Sequence, residues 1–220
     1  MAWPQAAVEL AQVQHALAAA ALPEWRLPEG PVELGGCFVC FERGPPGPGH
    51  SGDRGWAGAA LASGQTAVAE GRAGAAYEAG LLALREGRLL EEAVRRLPRL
   101  PDVLLVNATG RDHPRRAGLA LHLGAVLGVP TVGVTHRPLL AAGDWPADEP
   151  GAASPLVLEG VVVGHWLRTR PGTRPLAVHA AWRTDVETAL AVVLASLRGR
   201  HTPEPIRVSR NAARLGRVGS

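Results

Sequence analysis

"DVLLVNATGRDHPRRAGLALHLGAVLGVPTVGV" runs from Asp102 to Val134, and its reading decides the fold. Val103 to Val106 is apolar at every position, as a strand covered by helices on both faces must be. Arg115 to Leu127 carries helical periodicity, and "PTVGV" (130–134) reads as the next strand. Together they predict a β-α-β unit with parallel strands.

Upstream, residues 5–21 repeat apolar positions at helical spacing behind Pro4, a residue suited to a first helical turn. "VELGGCFVCFER" (32–43) reads as a strand, and "WAGAALA" (56–62) and "QTAVAEGR" (65–72) as two antiparallel strands. Between them the Gly/Pro-rich stretch at about 44–55 predicts a flexible hairpin extension, since Gly and Pro deny both helix and ladder bonding. Leu81 to Leu97 is a helix ended by Pro98 and Pro101. Downstream, "LEGVVVGHWLRTR" (158–170) and "PLAVHAA" (175–181) read as strands. Thr184 and Glu187 fit a capping box for the helix that follows. The reading predicts an α/β fold: a mixed sheet of antiparallel strands plus the parallel β-α-β unit, with helices on both faces.

Composition sets the outer bounds. A chain of 220 residues with 46% hydrophobic content can bury one substantial core, so a single domain over 1–220 is expected. All 23 basic residues are Arg, and the net charge of +3 with a pI near 9.6 permits an anionic partner such as nucleic acid. There is no charged leader with an apolar run and cleavage site, and no run of ~18 apolar residues, which predicts a cytoplasmic protein without a membrane span. The two cysteines, Cys37 and Cys40, fall on opposite faces of a strand, and no second Cys pair completes a zinc site. They read as core thiols.

In open α/β sheets the ligand crevice lies outside the carboxyl ends of the strands, which directs attention to Asn107–Arg116. His113, Arg115 and Arg116 gather there. Two readings fit: a phosphate-contacting loop at a helix N-terminus, or a solvated loop whose His caps the helix. In the basic tail at about 203–220, Arg207, Arg210, Arg214 and Arg217 recur at spacings of three and four. That is one face of a helix if the tail is helical, or solvated charge on a frayed terminus if it is not.

The opening stretch, with "YEAGLLALREG" (77–87), "LRTRPGTRPLAV" (167–178) and "PEPIRVSR" (203–210), resembles the endonuclease V family in order and spacing, from about Val8 to Arg214. The resemblance implies a ribonuclease-H-like fold and magnesium-dependent cleavage near deaminated purines, with a link to DNA repair. Carried over by residue, the family's first-strand Asp falls on Phe38, its Glu on Glu86, its central Asp on Asn107, and its late-strand His on Trp182. Only Glu86 is retained. Magnesium needs hard, charged oxygens, whereas Asn offers one neutral carbonyl and Phe and Trp offer none.

The resemblance also assigns a nucleic-acid-binding set. Tyr77 stands at the aromatic of a strand-separating wedge, flanked by Ala76 and Ala79 where the family has prolines, and by Glu78. Gly80 and Gly110 allow close approach of a base, His113, Arg115 and Arg116 remain, and His136 replaces a Lys. Glu42, Asp112, His113 and Asp185 are the sequence neighbours that could rebuild a metal centre, although Glu42 lies ~13 Å along the strand from Phe38.

The leading expectation is therefore a catalytically inactive endonuclease-V-like protein that keeps DNA or RNA binding and has no cofactor. Two alternatives stand beside it. One is an active Mg²⁺-dependent endonuclease with a rearranged site around Glu86; the other is a protein-interaction module reusing the fold.

Overall fold

The computed structural model describes residues 3–42 and 47–219. One eight-stranded sheet organises them, in the order β3-β2-β1-β4-β5-β8-β7-β6. The strands are β1 (Leu34–Phe41), β2 (Arg54–Leu61), β3 (Thr66–Arg72), β4 (Val103–Val106), β5 (Thr131–Thr135), β6 (Ala153–Leu158), β7 (Val161–Leu167) and β8 (Leu176–Ala180). Only β1–β4 and β4–β5 pair in parallel; every other neighbour is antiparallel. The helices are α1 (Ala7–Ala19), α2 (Leu82–Arg95), α3 (Leu119–Leu127), α4 (Val186–Ser196) and α5 (Glu204–Val218). None of these helices is long and apolar enough to cross a membrane.

The alternation of side chains along β4 divides the core. Leu104 and Val106 face α1, α2 and α3 and join Leu10, Leu90 and Leu123. Val103 and Leu105 face the other way, onto α4 and α5, with Val132, Val192 and Ile206. Both faces of the strand are dry because both are covered, which is what its unbroken apolar run required. At the head of the chain Trp3 lies over Gly87 and stacks on His122 at a centroid distance of 4.5 Å, while its Nε1 donates to Glu91 at 2.6 Å.

Several predicted boundaries move, each for a local reason. α3 begins at Leu119 instead of Arg115, because Arg116 has φ of 55° and Gly118 is pressed against Thr109 O, so the 113–118 segment must turn before it can coil. The predicted strand from residue 158 is a hairpin, β6–β7, whose turn residues Glu159 and Gly160 have φ of 50° and 77°. Positive φ at both central positions is the signature of a tight hairpin turn. Thr184 is not the helix cap: its hydroxyl donates to Thr131 O and accepts from Ala181 N, and Asp185 caps α4 by accepting from Thr188 N.

Of the expected extension at 44–55, residues 44–46 lie outside the described residues, and Arg54 and Gly55 already belong to β2. Residues 47–53 are held down, not loose. Arg85 donates to His50 O and Ala75 O and pairs with Asp53 at 2.8 Å, with its guanidinium over the Phe41 ring.

The tail from 203 onward is a packed helix. α5 lies so close to β1 and β2 that a Cβ on Gly36 would sit 2.4 Å from the Pro205 carbonyl carbon, and one on Gly58 2.1 Å from Ser209 O. Backbone meets backbone there, so no side-chain rotation could relieve the clash. Gly58→Ala is expected to destabilise the fold by about 1–3 kcal/mol or more in urea unfolding. Gly30→Ala, which meets nothing within 4 Å, should leave the midpoint almost unchanged.

Candidate functional site

The parallel register of β1 with β4 pairs Cys37 with Val106, so the next residues along, Phe38 and Asn107, sit side by side where β4 ends. Glu86 joins them from α2. Its helix faces the sheet through Ala83, Leu90 and Val94, and Glu86 lies three residues after the first and four before the second, on that same stripe. Glu86, Phe38, Asn107, Cys37 and Tyr77 line one cavity of about 260 Å³. Three of the four positions carried over by resemblance are thus brought together.

Trp182 is not. β8 runs antiparallel to β5, with Val132 opposite Ala180, so Trp182 falls beside the start of β5, where its N–H donates to Thr131 Oγ1. Asn107 is level with the far end of that strand, its Nδ2 donating to Val134 O at 3.1 Å. The separation is about three to four strand residues, roughly 10–13 Å. Trp182 packs onto the α1–α3 core and borders a different cavity with Arg111 and Arg183.

Burial governs the electrostatics of the cleft. Glu86 forms no ion pair or hydrogen bond with a described residue, and the surrounding protein pushes its carboxyl up to about 8, with Arg85 opposing only in part. Glu86 is therefore mostly protonated at neutral pH. Burial raises the Cys37 thiol as well, with the Glu86 charge adding to the effect, so Cys37 is an inert core thiol.

The neighbours considered for a rebuilt metal centre are engaged elsewhere. Glu42 accepts from Arg54 N. Asp112 is fully buried and accepts from the backbone N–H groups of Leu139, Leu140 and Ala141. Asp185 caps α4. Among the described residues no group of three His, Cys, Asp or Glu side chains could hold a metal ion.

A second cavity, of about 270 Å³, opens beside the first and shares Asn107 and Tyr77 with it. Tyr77 is half exposed at the rim. Gly80, with φ of 82°, turns its carbonyl inward to accept from His113 Nε2 and Arg115 Nη2, both at 3.0 Å. His113 Nδ1 accepts from Arg115 N, so the neutral ring with its proton on Nε2 fits both bonds. Burial lowers its pKa and favours that neutral form. Arg115 Nε also donates to the buried Gln14 at 2.6 Å.

The rest of the nucleic-acid set is scattered. Arg116 is tied to Leu158 O and Glu159. Gly110 is a packing glycine, since a Cβ there would lie 2.1 Å from Ala180 O. His136 stacks on His201 and lines a third cavity, of about 230 Å³, on the other side of Phe38 and Asn107. That third cavity holds what sequence reading did not place: Arg210, half buried, and Arg214, exposed, both from α5. Their spacing of four was visible in the tail. The glycines at 36 and 58 that let the helix lie against β1 were the signal for where it docks.

The family model described as Endonuclease V matches residues 57–211. Endonuclease V of Roseiflexus sp. (strain RS-1) is 39% identical over 127 residues, 58% of this chain and 57% of that protein. Endonuclease V of Methanopyrus kandleri is 42% identical over 115 residues, 52% of this chain and 50% of that protein. The matched region thus spans about half the length of these curated relatives. Among solved structures, Endonuclease V from Streptomyces avermitilis superposes with a TM-score of 0.86 at 31% identity, covering 99% of this chain and 96% of that one. Ciona intestinalis Endonuclease V, in complex with a 24mer DNA containing an inosine followed by a ribo-adenosine, shares the fold with a TM-score of 0.77 at 19% identity, covering 96% and 98%.

The raised carboxyl has a thermodynamic consequence. Between the ordinary value near 4.5 and the folded value near 8, the folded chain keeps a proton that the unfolded chain releases, so this group's contribution to stability falls as pH rises through that window. Glu86→Gln, which cannot ionise, is expected to match the wild type near pH 4.5 and to exceed it by about 1–3 kcal/mol at pH 8.5. Calorimetric melting at the two pH values measures the difference; equal gains at both would contradict it.

Proposed function

The chain belongs to the endonuclease V family, and from that premise we propose that it is a member without phosphodiester cleavage that keeps a cleft for nucleic acid carrying a deaminated base. The observation that carries the reading is that Phe38 and Asn107 line one cavity at the end of β4, beside a single carboxyl that is mostly neutral at pH 7. A divalent cation of the magnesium type needs several charged oxygens in a near-octahedral shell. Here the donors are one protonated carboxyl and one amide, and Phe38 occupies a wall that a third ligand would need. Those residues do not fit the ion.

Cleavage without the ion would still need a group to activate water and another to stabilise the charge gathering on the phosphate. Glu86, protonated, is a poor base at neutral pH. Binding has better support: the cavity between Tyr77, Gly80 and His113 is walled mainly by apolar groups and backbone and is open at the rim, as a site for a flipped base would be. The exposed Tyr77 ring offers a stacking face there. Inosine in the DNA bound by the Ciona relative makes a deaminated purine the first ligand to try.

The rival reading, an active nuclease with a rearranged site, rests on the retention of Glu86, and the engagement of Glu42, Asp112 and Asp185 counts against it. The reading as a protein-interaction module has no specific feature in its favour.

Inosine-containing DNA and RNA oligonucleotides incubated with Mg²⁺ or Mn²⁺ are expected to stay intact, while fluorescence anisotropy detects binding that weakens with salt. Nicking that disappears in Glu86→Ala would replace this reading with the rearranged enzyme. A flat salt dependence, or no binding, would remove nucleic acid altogether.

A further inference from the structure

Arg210 and Arg214 lie one turn apart on α5, and both line the cavity of about 230 Å³ whose opposite walls are Phe38, Asn107 and Thr135. On the same helix Arg207 is neutralised by Glu204 at 2.5 Å. Arg210 and Arg214 have no such partner among the described residues, and Arg210 Nε is buried without a hydrogen-bond acceptor. Burial and the neighbouring Arg214 and Arg207 all disfavour its charge, yet a guanidinium stays protonated in proteins. No carboxylate of a described residue lines this cavity. Glu86, beyond Phe38 and Asn107 in the adjoining cavity, is mostly uncharged at neutral pH. A fixed cation pair with an unfilled donor and no carboxylate of a described residue to meet it calls for an anion from outside.

The surroundings select among anions. Thr202 is shared with a further surface groove lined by Arg170, Arg198 and Arg200, with Arg207, already paired to Glu204, at its edge and no carboxylate of a described residue in its lining. Positive charge therefore continues outward from the cleft as a track and does not close around a single small ion. A track suits a strand with regularly repeated phosphates.

We propose that Arg210 and Arg214, with Asn107 beside them, form a metal-independent site for a backbone phosphate of a nucleic-acid strand, which the arginine track carries on across the surface. The site rests on the nucleic-acid reading above but is separable from it. The two guanidinium groups supply the positive charge, so binding needs no divalent ion. Arg forks match phosphate oxygens in pairs, which a lysine point charge does not.

The test is anisotropy titration of an inosine-containing single-stranded oligonucleotide, in EDTA, across a salt series. Arg210→Gln/Arg214→Gln is expected to bind at least tenfold more weakly than wild type at low salt, and to lower the slope of log affinity against log salt by about 1.5, two phosphate contacts' worth for a single strand. Arg26→Gln/Arg88→Gln, with the same loss of charge away from the cleft, should leave the slope unchanged. Arg210→Lys/Arg214→Lys should keep the slope and lose several-fold in affinity. If the Gln pair fails to fold, Arg214→Gln alone, at an exposed position, should show about half the slope change.

Wild-type binding that is equally strong in the Gln pair would overturn the phosphate site and leave the nucleic-acid reading standing. Wild-type binding that requires Mg²⁺ would overturn its metal independence. No wild-type binding to any oligonucleotide would overturn both.

Discussion

Two glycines set the geometry on which the cleft depends. At Gly36 and Gly58 the backbone of α5 rests on the backbone of β1 and β2, with no side chain between them. A helix normally stands off a sheet by the thickness of its side chains; removing that spacer brings Arg210 and Arg214 close enough to wall the cavity beside Phe38 and Asn107. Ile206, from the same helix, seals the β4–β5 side of the core. The packing of the fold and the charge of the cleft are thus two results of one contact.

On the other side of the sheet solvation governs the cleft. Glu86 projects from the sheet-facing stripe of α2 into a region where no described residue bonds to it, and an ionised carboxylate there would go without compensation. The chain meets that cost by holding the proton. Phe38, in the place where the family resemblance implies a second anion, adds apolar surface and makes the charged state still less favourable. Asn107 keeps a carboxylate's shape without its charge and is steadied by Val134 O. The middle of the cleft is consequently neutral and the α5 side positive, a polarity opposite to that of a site built to hold a divalent cation.

Much of this was legible in the sequence. The unbroken apolar run at Val103–Val106 gave the doubly covered strand, and the parallel unit after it followed from chain order. Cys37 lies in the core as read, whereas Cys40, also read as a core thiol, is only partly buried on the opposite face of β1. What escaped was tertiary in origin. Thr184 looked like a helix cap, but its hydroxyl is taken by Thr131 O, a partner more than fifty residues away that no local pattern reveals. Trp182 was assigned to the cleft by the family resemblance, while the antiparallel register of β8 carries it toward the other end of the sheet. His113 and Arg115 fitted either a phosphate-contacting loop or a solvated loop with a capping His, and neither pattern reveals the inward Gly80 carbonyl that both donate to.

The seat of α5 also bears on how the molecule assembles. Its contacts join residues near 36 and 58 to residues near 205 and 209, so they close a loop of about 150 to 170 residues. Contacts of such long range must overcome the entropy of bringing distant segments together before they return any energy, which slows their formation. A chain in which α5 had not docked would have the neutral half of the cleft and lack its arginine wall. The positive side of the cleft is thus a property of the finished topology, since it exists only where α5 is seated.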